Sequence, residues 1–191
     1  MLIYIHGFNS SALSFKAAVL RKRMSELRRT REFVCPELPH RPLEAIALLD
    51  DIIAARMDER LALVGSSLGG YYATYLAERH GLRAVLVNPA VRPYRLLASS
   101  LGPQENLYTG ARYLFTEAHL RELRGLEVGR VTADRYLLLV ATGDEVLDYR
   151  DAVERYRGCV QTVVRGGDHG FGDFERHVDH VLAFCGIRGA R

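Results

Sequence analysis

A serine flanked by glycines follows the third apolar run of this 191-residue chain. The residues Gly65-Ser66-Ser67-Leu68-Gly69 match the pattern G-x-S-x-G, in which small residues let the main chain turn sharply from a strand into a helix. Such a turn exposes the serine hydroxyl at the carboxyl end of a sheet, where it can attack a carbonyl carbon. Ser67 has glycine two positions before and two positions after it, whereas Ser66 does not. The pattern therefore favours Ser67 as a nucleophile.

Glycine-containing turns between a strand and a helix also bind phosphate in nucleotide-binding proteins. That function requires G-x-x-x-x-G-K-[ST] or G-x-G-x-x-G, because main-chain amides must surround the phosphate oxygens. The sequence contains neither pattern. Acyl transfer is therefore the better interpretation of this turn.

A nucleophilic serine on such a turn needs an acid and then a base, in that order along the chain. Asp144 is the favoured acid, because it lies nearest the end of an apolar run in a tight Gly-Asp turn. Asp148 competes with it, but it directly precedes a helical pattern and fits a helix N-cap. Glu145 is a weaker third candidate.

The base is expected in a loop after the last apolar run. His169 meets this condition, and the glycines before it free the main chain to aim the imidazole. Its neighbour Asp168 is expected to shape the loop rather than to act as the acid. A histidine base predicts activity that rises between about pH 5 and 8. The other histidines lie in less suitable segments: His177 and His180 in the terminal helix, His80 at a helix end, His40 and His119 elsewhere.

A tetrahedral intermediate needs amide N–H groups around its oxyanion. One donor is expected from Leu68, which follows the nucleophile at a helix N-terminus. The other is expected from Phe8, because a His6-Gly7 pair after the first apolar run resembles the loop that supplies the second donor. His6 itself is expected to shape that loop through hydrogen bonds.

Short apolar runs that alternate with helical patterns must position these residues. This alternation predicts a three-layer α/β sandwich with a six-stranded parallel sheet in the order 2-1-3-4-5-6. The predicted strands are Leu2–Ile5, Phe33–Cys35, Leu61–Val64, Ala84–Val87, Tyr136–Val140 and Gln161–Val164. The predicted helices are Ser11–Arg29, Leu43–Arg56, Gly70–His80, Tyr149–Tyr156 and Gly172–Phe184.

Residues 92–130 form an insertion that is longer than an ordinary crossover. It is expected to hold two short helices, Tyr94–Leu101 and Thr116–Leu123, joined by the polar segment Gly102–Gly110. Two interpretations stay open: an elaborate crossover, or a small helical cap over the site.

Composition narrows the class of protein. A formal net charge of +3 and an arginine-rich stretch over residues 21–31 fit the solvated face of an amphipathic helix better than a nucleic-acid site. The three cysteines have no metal-binding spacing and are expected to be small buried residues, and no metal or organic cofactor is expected. The sequence shows no secretory signal and no membrane span, which predicts a cytoplasmic protein.

Several longer motifs make the sequence resemble the YqiA-like bacterial esterases of the α/β-hydrolase superfamily. These motifs are Tyr4-Ile5-His6-Gly7-Phe8-Asn9-Ser10-Ser11, Val64–Thr74, Val87-Asn88-Pro89-Ala90-Val91-Arg92-Pro93, Thr142–Arg150 and Gly166-Gly167-Asp168-His169. The resemblance implies a minimal α/β-hydrolase, a single domain over residues 1–191, that lacks the first antiparallel strand pair of larger relatives. It also implies a Ser67–Asp144–His169 triad, with Asp144 in a D-x-V-[VL] turn.

The expected activity is hydrolysis of carboxylic esters through an acyl-enzyme, acting on a small molecule. An acyl thioesterase or an amidase would use the same residues, and a non-catalytic binding protein on a hydrolase scaffold is a further alternative. Substrate identity and oligomeric state are open at this point.

Overall fold

The computed structural model describes residues 1–56, 60–106 and 108–187. A sheet of six parallel strands forms its centre, and a two-stranded antiparallel hairpin lies apart from it. The strands of these described residues are β1 (Leu2–Ile5), β2 (Phe33–Val34), β3 (Ala62–Ser66), β4 (Arg83–Val87), β5 (Gly102–Glu105), β6 (Arg112–Phe115), β7 (Tyr136–Ala141) and β8 (Val160–Val164).

The order of the large sheet is β2-β1-β3-β4-β7-β8, and all of its pairings are parallel. This confirms the predicted order 2-1-3-4-5-6. The α-helices are α1 (Phe15–Glu26), α2 (Pro42–Ala54), α3 (Leu68–His80), α4 (Pro93–Leu96), α5 (Glu117–Gly125), α6 (Tyr149–Arg155) and α7 (Val178–Phe184). Short 3-10 helices span Thr30–Glu32, Leu97–Ser100, Ala133–Arg135 and Phe174–His177.

Two apolar cores lie on opposite faces of the sheet, because side chains alternate between faces along each strand. On β1, Ile3 and Ile5 pack into one core with α2, α3 and α5, while Leu2 and Tyr4 pack into the other with α1 and α7. The central strands are thus covered on both sides, as their continuous apolar runs predict. This layering fixes the carboxyl ends of β1, β3, β4 and β7 at one edge of the sheet.

The insertion contains both predicted helices, as α4 with the following 3-10 helix and as α5, but the segment between them differs from the prediction. The segment expected to be a polar connection forms β5 and the turn of a hairpin that pairs β5 with β6. An Asx turn makes this possible: Asn106 Oδ1 accepts the amides of Tyr108 and Thr109, and Gly110 adopts a positive φ of 69°. Exposed and more buried residues alternate along β6, but the sequence does not reveal this, because the exposed residue Leu114 is apolar.

Two predicted helices are shorter than expected. The first begins at Phe15 rather than Ser11, because the Ser11 hydroxyl accepts the Leu13 amide and forms a local turn instead. The last is divided, so His177 lies in the 3-10 turn Phe174–His177 and His180 lies in α7. The three cysteines are unpaired, and each is half-buried rather than fully buried.

No helix in the described ranges is long and apolar enough to cross a membrane. Two arginines of the arginine-rich stretch form ion pairs. Arg23 pairs with Glu26 and Asp179, and Arg29 pairs with Glu32. On the other face of α1, Leu20 and its apolar neighbours are buried in the core.

Candidate active site

Ser67 sits on a strained turn between β3 and α3. Its φ of 55° and ψ of −122° lie in a region that residues with a side chain rarely adopt. Hydrogen bonds hold this conformation: the Ser67 amide donates to Val87 O at 3.0 Å, and Ser67 O accepts the amides of Gly70 at 2.9 Å and Ala90 at 3.1 Å. The turn is therefore fixed by its neighbours before any ligand arrives.

The two glycines of the pattern allow α3 to begin this close to the sheet. A Cβ atom on Gly65 would collide with the carbonyl of Gly69, and a Cβ atom on Gly69 would collide with the carbonyl of Ile5 on β1. Both obstacles are main-chain atoms, which cannot move away cheaply. The spacing G-x-S-x-G is thus a packing requirement at this turn.

The structure brings the three predicted residues into one hydrogen-bonded row. His169 Nε2 lies 3.1 Å from Ser67 Oγ, and His169 Nδ1 lies 2.9 Å from Asp144 Oδ2 and 3.0 Å from Oδ1. Because both Asp144 oxygens are acceptors, Nδ1 carries the proton and Nε2 is free to accept the serine proton. The Asp144 side chain is 2% exposed, whereas that of His169 is 22% exposed.

Asp144 is held in its ionised form. Burial acts to raise its pKa, but the hydrogen bonds from His169 and from the amides of Leu147 and Val146 outweigh it, so the pKa lies below its usual value. A buried carboxylate in this state orients the imidazole and can stabilise an imidazolium.

The competing acidic residues have other contacts. Asp148 caps α6, because its side chain accepts the Arg150 amide at 3.0 Å. Glu145 accepts the main-chain amide of His169 at 3.0 Å and so supports the loop that carries the base. Asp168 Oδ1 accepts the Gly172 amide at 3.3 Å in the same loop.

The two predicted oxyanion donors belong to segments that adjoin the serine. Leu68 is the first residue of α3, so its amide has no acceptor within the helix. Phe8 follows Gly7, where a Cβ would lie 3.2 Å from Ser67 Cβ. The loop before Phe8 therefore passes directly beside the nucleophile.

His6 shapes this loop. Its Nδ1 donates to Gly7 O at 3.1 Å, and its Nε2 accepts the amide of Leu38 at 3.2 Å. Burial lowers the pKa of His6, which favours the neutral ring that these two bonds require. His6 thus stabilises this loop and lies outside the row formed by Ser67, His169 and Asp144.

The insertion also supports the loop after Phe8. Tyr113 donates its hydroxyl to Asn9 Oδ1 at 2.6 Å, and Asn9 Nδ2 donates to Gln104 Oε1 at 3.0 Å. The Phe8 and Phe115 rings pack edge to face, with 5.4 Å between their centroids. The hairpin therefore contacts the segment that carries a predicted oxyanion donor.

Two buried polar residues beside the row were missed by the sequence interpretation. Asn88, at the end of β4, is 2% exposed and donates to the carbonyls of Asp168 and His169. Lys16, on α1, is 8% exposed and donates from Nζ to Gly170 O at 2.6 Å. The sequence signal for Asn88 was its position as a polar residue directly after a buried central strand. The signal for Lys16 was a lysine inside an apolar helix pattern.

A cavity of about 250 Å³ opens beside the nucleophile. Its lining includes Ser67, His169, Phe8 and, on the α1 side, Ser14 and Lys16. Its volume is below the range of roughly 300–1,000 Å³ typical of sites that enclose drug-sized ligands. The site is therefore suited to a small group.

Three further histidines have structural partners. His119 caps α5 together with Thr116, and it lies 3.0 Å from the His40 ring, which stacks on Tyr113. His80 pairs with Asp50 at 2.7 Å. Within the described part of the chain, no group of three or more His, Cys, Asp or Glu residues could hold a metal ion.

Comparison with known proteins identifies relatives along nearly the whole chain. A sequence profile described as "Uncharacterised protein family (UPF0227)" matches residues 1–186. The UPF0227 protein YcfP of Escherichia coli is 24% identical over 186 residues, which cover 96% of this chain and 98% of that protein.

Solved structures share the fold at low sequence identity. The mouse alpha/beta hydrolase domain-containing protein 10 gives a TM-score of 0.68 at 17% identity, with 97% of this chain and 86% of that chain covered. The structure of Est1E from Butyrivibrio proteoclasticus with bound ferulic acid gives a TM-score of 0.67 at 15% identity, with 96% and 86% covered. The chain therefore has the α/β-hydrolase fold, as its sequence predicts.

Proposed function

This chain belongs to the UPF0227 family, and we propose that it is a serine esterase in which Ser67, His169 and Asp144 form the catalytic triad. The observation that carries this proposal is the position of the His169 ring, within 3.1 Å of the serine hydroxyl on one side and 2.9 Å of a buried carboxylate on the other. The resemblance to the YqiA-like esterases supports this class of reaction, and so does the structural neighbour Est1E, which is bound to a carboxylic acid, ferulic acid.

The proposed reaction begins with attack on the ester carbonyl. Ser67 Oγ bonds to the carbonyl carbon while its proton passes to His169 Nε2, and the carbonyl electron pair moves to the oxygen. The amides of Phe8 and Leu68 donate to this oxyanion, and Asp144 stabilises the imidazolium. The carbon–oxygen bond to the alcohol then breaks, and the alcohol leaves with the proton from His169.

Water completes the cycle. It gives a proton to His169 Nε2 and attacks the acyl carbon to form a second tetrahedral intermediate. The bond from this carbon to Ser67 Oγ then breaks, Oγ takes the proton back from His169, and the carboxylic acid leaves. Every proton in both halves moves through the same imidazole nitrogen. None of these steps uses a group from outside the chain except the substrate and water.

The test is covalent labelling by a fluorophosphonate probe together with hydrolysis of 4-nitrophenyl butyrate. The wild-type protein is expected to react with the probe and to turn over the ester, whereas Ser67→Ala is expected to do neither while keeping its far-ultraviolet circular dichroism. Ser66→Ala is the matched control and should retain both activities. An unlabelled, inactive wild type would support a binding protein instead. A thioester series run beside the esters shows which acyl donor is preferred.

A further inference from the structure

Lys16 is a buried cation with unused hydrogen-bond donors. It is one of two lysines in the chain; the other, Lys22, lies six residues later on α1 and is exposed. An ammonium has three N–H donors. Among the residues described here, Gly170 O is the single acceptor within hydrogen-bond distance of the Lys16 Nζ. Burying a cation in this state is costly unless a further partner arrives.

Ser14 provides a second unsatisfied polar group in the same cavity. It is 7% exposed, and its Oγ is buried and makes no hydrogen bond of good geometry in the described structure, although the Tyr4 hydroxyl lies close enough to interact with it. Ser14 is also the N-cap residue of the twelve-residue helix α1. The helix N-terminus adds free main-chain amides and the positive end of the helix dipole, both of which favour an anion.

These groups share one cavity with the nucleophile. Its lining includes Ser14, Phe15 and Lys16 from the start of α1 together with Ser67 and His169. A group bound beside α1 would thus belong to the molecule whose ester reaches Ser67. The volume of about 250 Å³ suits a short chain that ends in one compact charged group.

Resting on the proposed function, we infer that the cavity beside α1 binds a carboxylate of the substrate, so that esters carrying a carboxylate are preferred over neutral ones. Lys16 Nζ and Ser14 Oγ are the side-chain donors for this carboxylate. The Tyr4 side chain also lines this cavity.

The charges around Lys16 are compatible with an incoming anion. Burial lowers its pKa to about 8, and the charges of Asp168 and Asp144 act in the opposite direction. Asp144 already accepts hydrogen bonds from His169 and two amides, and Asp168 accepts one from the Gly172 amide. Lys16 is therefore largely protonated at pH 7 and loses its charge as the pH rises through about 8.

The experiment compares matched esters. The 4-nitrophenyl half-esters of glutaric, adipic and pimelic acid place a carboxylate on the acyl side, and their methyl esters are the neutral partners. Butyrate esters of 4-hydroxybenzoic acid and of its methyl ester place the charge on the leaving group instead. In at least one series, we expect the wild-type kcat/KM to favour the anionic member by about 10-fold or more at pH 7.

Lys16→Met should remove this preference, a loss of about 10-fold or more, because a hydrogen-bonded charge pair is replaced by an apolar chain of similar length. Lys22→Met removes the same charge from the exposed part of α1 and should leave the preference unchanged. The wild-type preference should also decline between pH 7 and 9, since kcat/KM reports groups of the free enzyme. This readout needs no variant and applies even if Lys16→Met fails to fold.

The inference is overturned if the wild type shows no preference in either series, or if the preference survives in Lys16→Met. It is also overturned if Lys16→Met lowers kcat/KM equally for both members of a pair, because Lys16 would then only support the Gly170 segment. Failure of the proposed function would give a different result, which neutral esters alone would reveal. Ser67→Ala would hydrolyse them as fast as the wild type, or neither protein would hydrolyse them.

Discussion

The side-chain amide of Asn88 donates to the main-chain carbonyl of His169 at 3.1 Å. The same amide donates to Asp168 O at 3.0 Å, and Asn88 Oδ1 accepts the Ala141 amide at 2.9 Å. One buried side chain therefore ties the loop that carries the base to the ends of two central strands. Its φ of 40° lies in the left-handed region, which asparagine tolerates better than most residues.

Asn88→Asp is expected to lower kcat of ester hydrolysis by about 10-fold or more through misplacement of the imidazole. The carboxylate can still accept the Ala141 amide, but it faces two carbonyl oxygens without a proton to donate. Steady-state kinetics on 4-nitrophenyl butyrate checks this, with kcat expected to change more than KM. Asn88→Gly keeps the left-handed main chain without the amide and should also lose activity. Activity within twofold of the wild type in both variants would contradict the role.

Asp144→Asn should reduce kcat by about four orders of magnitude, as the corresponding change does in a serine protease triad. The reason is that an amide can hold the imidazole in the wrong tautomer and cannot stabilise an imidazolium. Asp148→Asn is the matched control, because this residue caps α6. It should keep near-wild-type kcat, and asparagine is also a good N-cap residue. If Asp144→Asn kept its activity and Asp148→Asn lost it, Asp148 would be the acid of the triad.

The free energy of unfolding should depend on pH in a way that reflects the ionisation of Asp144. Its pKa is depressed in the folded protein, chiefly by the hydrogen bonds that overcome its burial, so its ionised form stabilises the fold above the unfolded pKa of about 3.9. This contribution disappears as the pH falls through the folded pKa. Urea unfolding of the wild type and Asp144→Asn should therefore show a difference at pH 6 that narrows by pH 3. A difference that stays constant over this range would be inconsistent with a stabilised carboxylate.

Activity should rise between about pH 5 and 8, where imidazoles titrate. Asp144 is already ionised throughout this range because its pKa lies below its usual value, so it adds no second step there. The measurement is kcat/KM of wild-type protein on a neutral ester. A flat profile would argue against a histidine base.

Tyr113→Phe should lower kcat by roughly fivefold, which corresponds to one net hydrogen bond of about 1 kcal/mol. The change removes only the hydroxyl that donates to Asn9 in the loop after Phe8. Tyr75→Phe serves as the control, since its hydroxyl bonds to Arg79 on α3 away from this loop. Equal kinetics for the two variants would show that the hairpin does not order the loop.

Local sequence patterns predict the strands and the three residues of the row, Ser67, Asp144 and His169. Continuous apolar runs predict parallel strands, and the carboxyl ends of such strands meet at one edge. Polar or glycine-rich segments that follow these runs therefore converge in space. Residues far apart in the chain could be placed together by this rule alone.

Asn88 and Lys16 were not predicted, because their roles depend on contacts across the fold. The Lys16 ammonium reaches Gly170, which is 154 positions away in the chain, and no local pattern encodes such a contact. The hairpin was missed for a related reason. Its strands are only four residues long, β5 contains Gly102 and Pro103, and β6 exposes the apolar Leu114, so neither strand shows a polar–apolar alternation.

The contacts between the hairpin and the Asn9 loop constrain how this fold can diversify. Asn106 also donates to Ser10 O at 2.8 Å, so both residues after Phe8 are bound to the insertion. A chimera that exchanged residues 102–115 for the insertion of a relative would have to exchange Asn9 with it. The insertion and the loop after Phe8 are thus structurally coupled, and we expect a replacement of the insertion alone to disturb that loop.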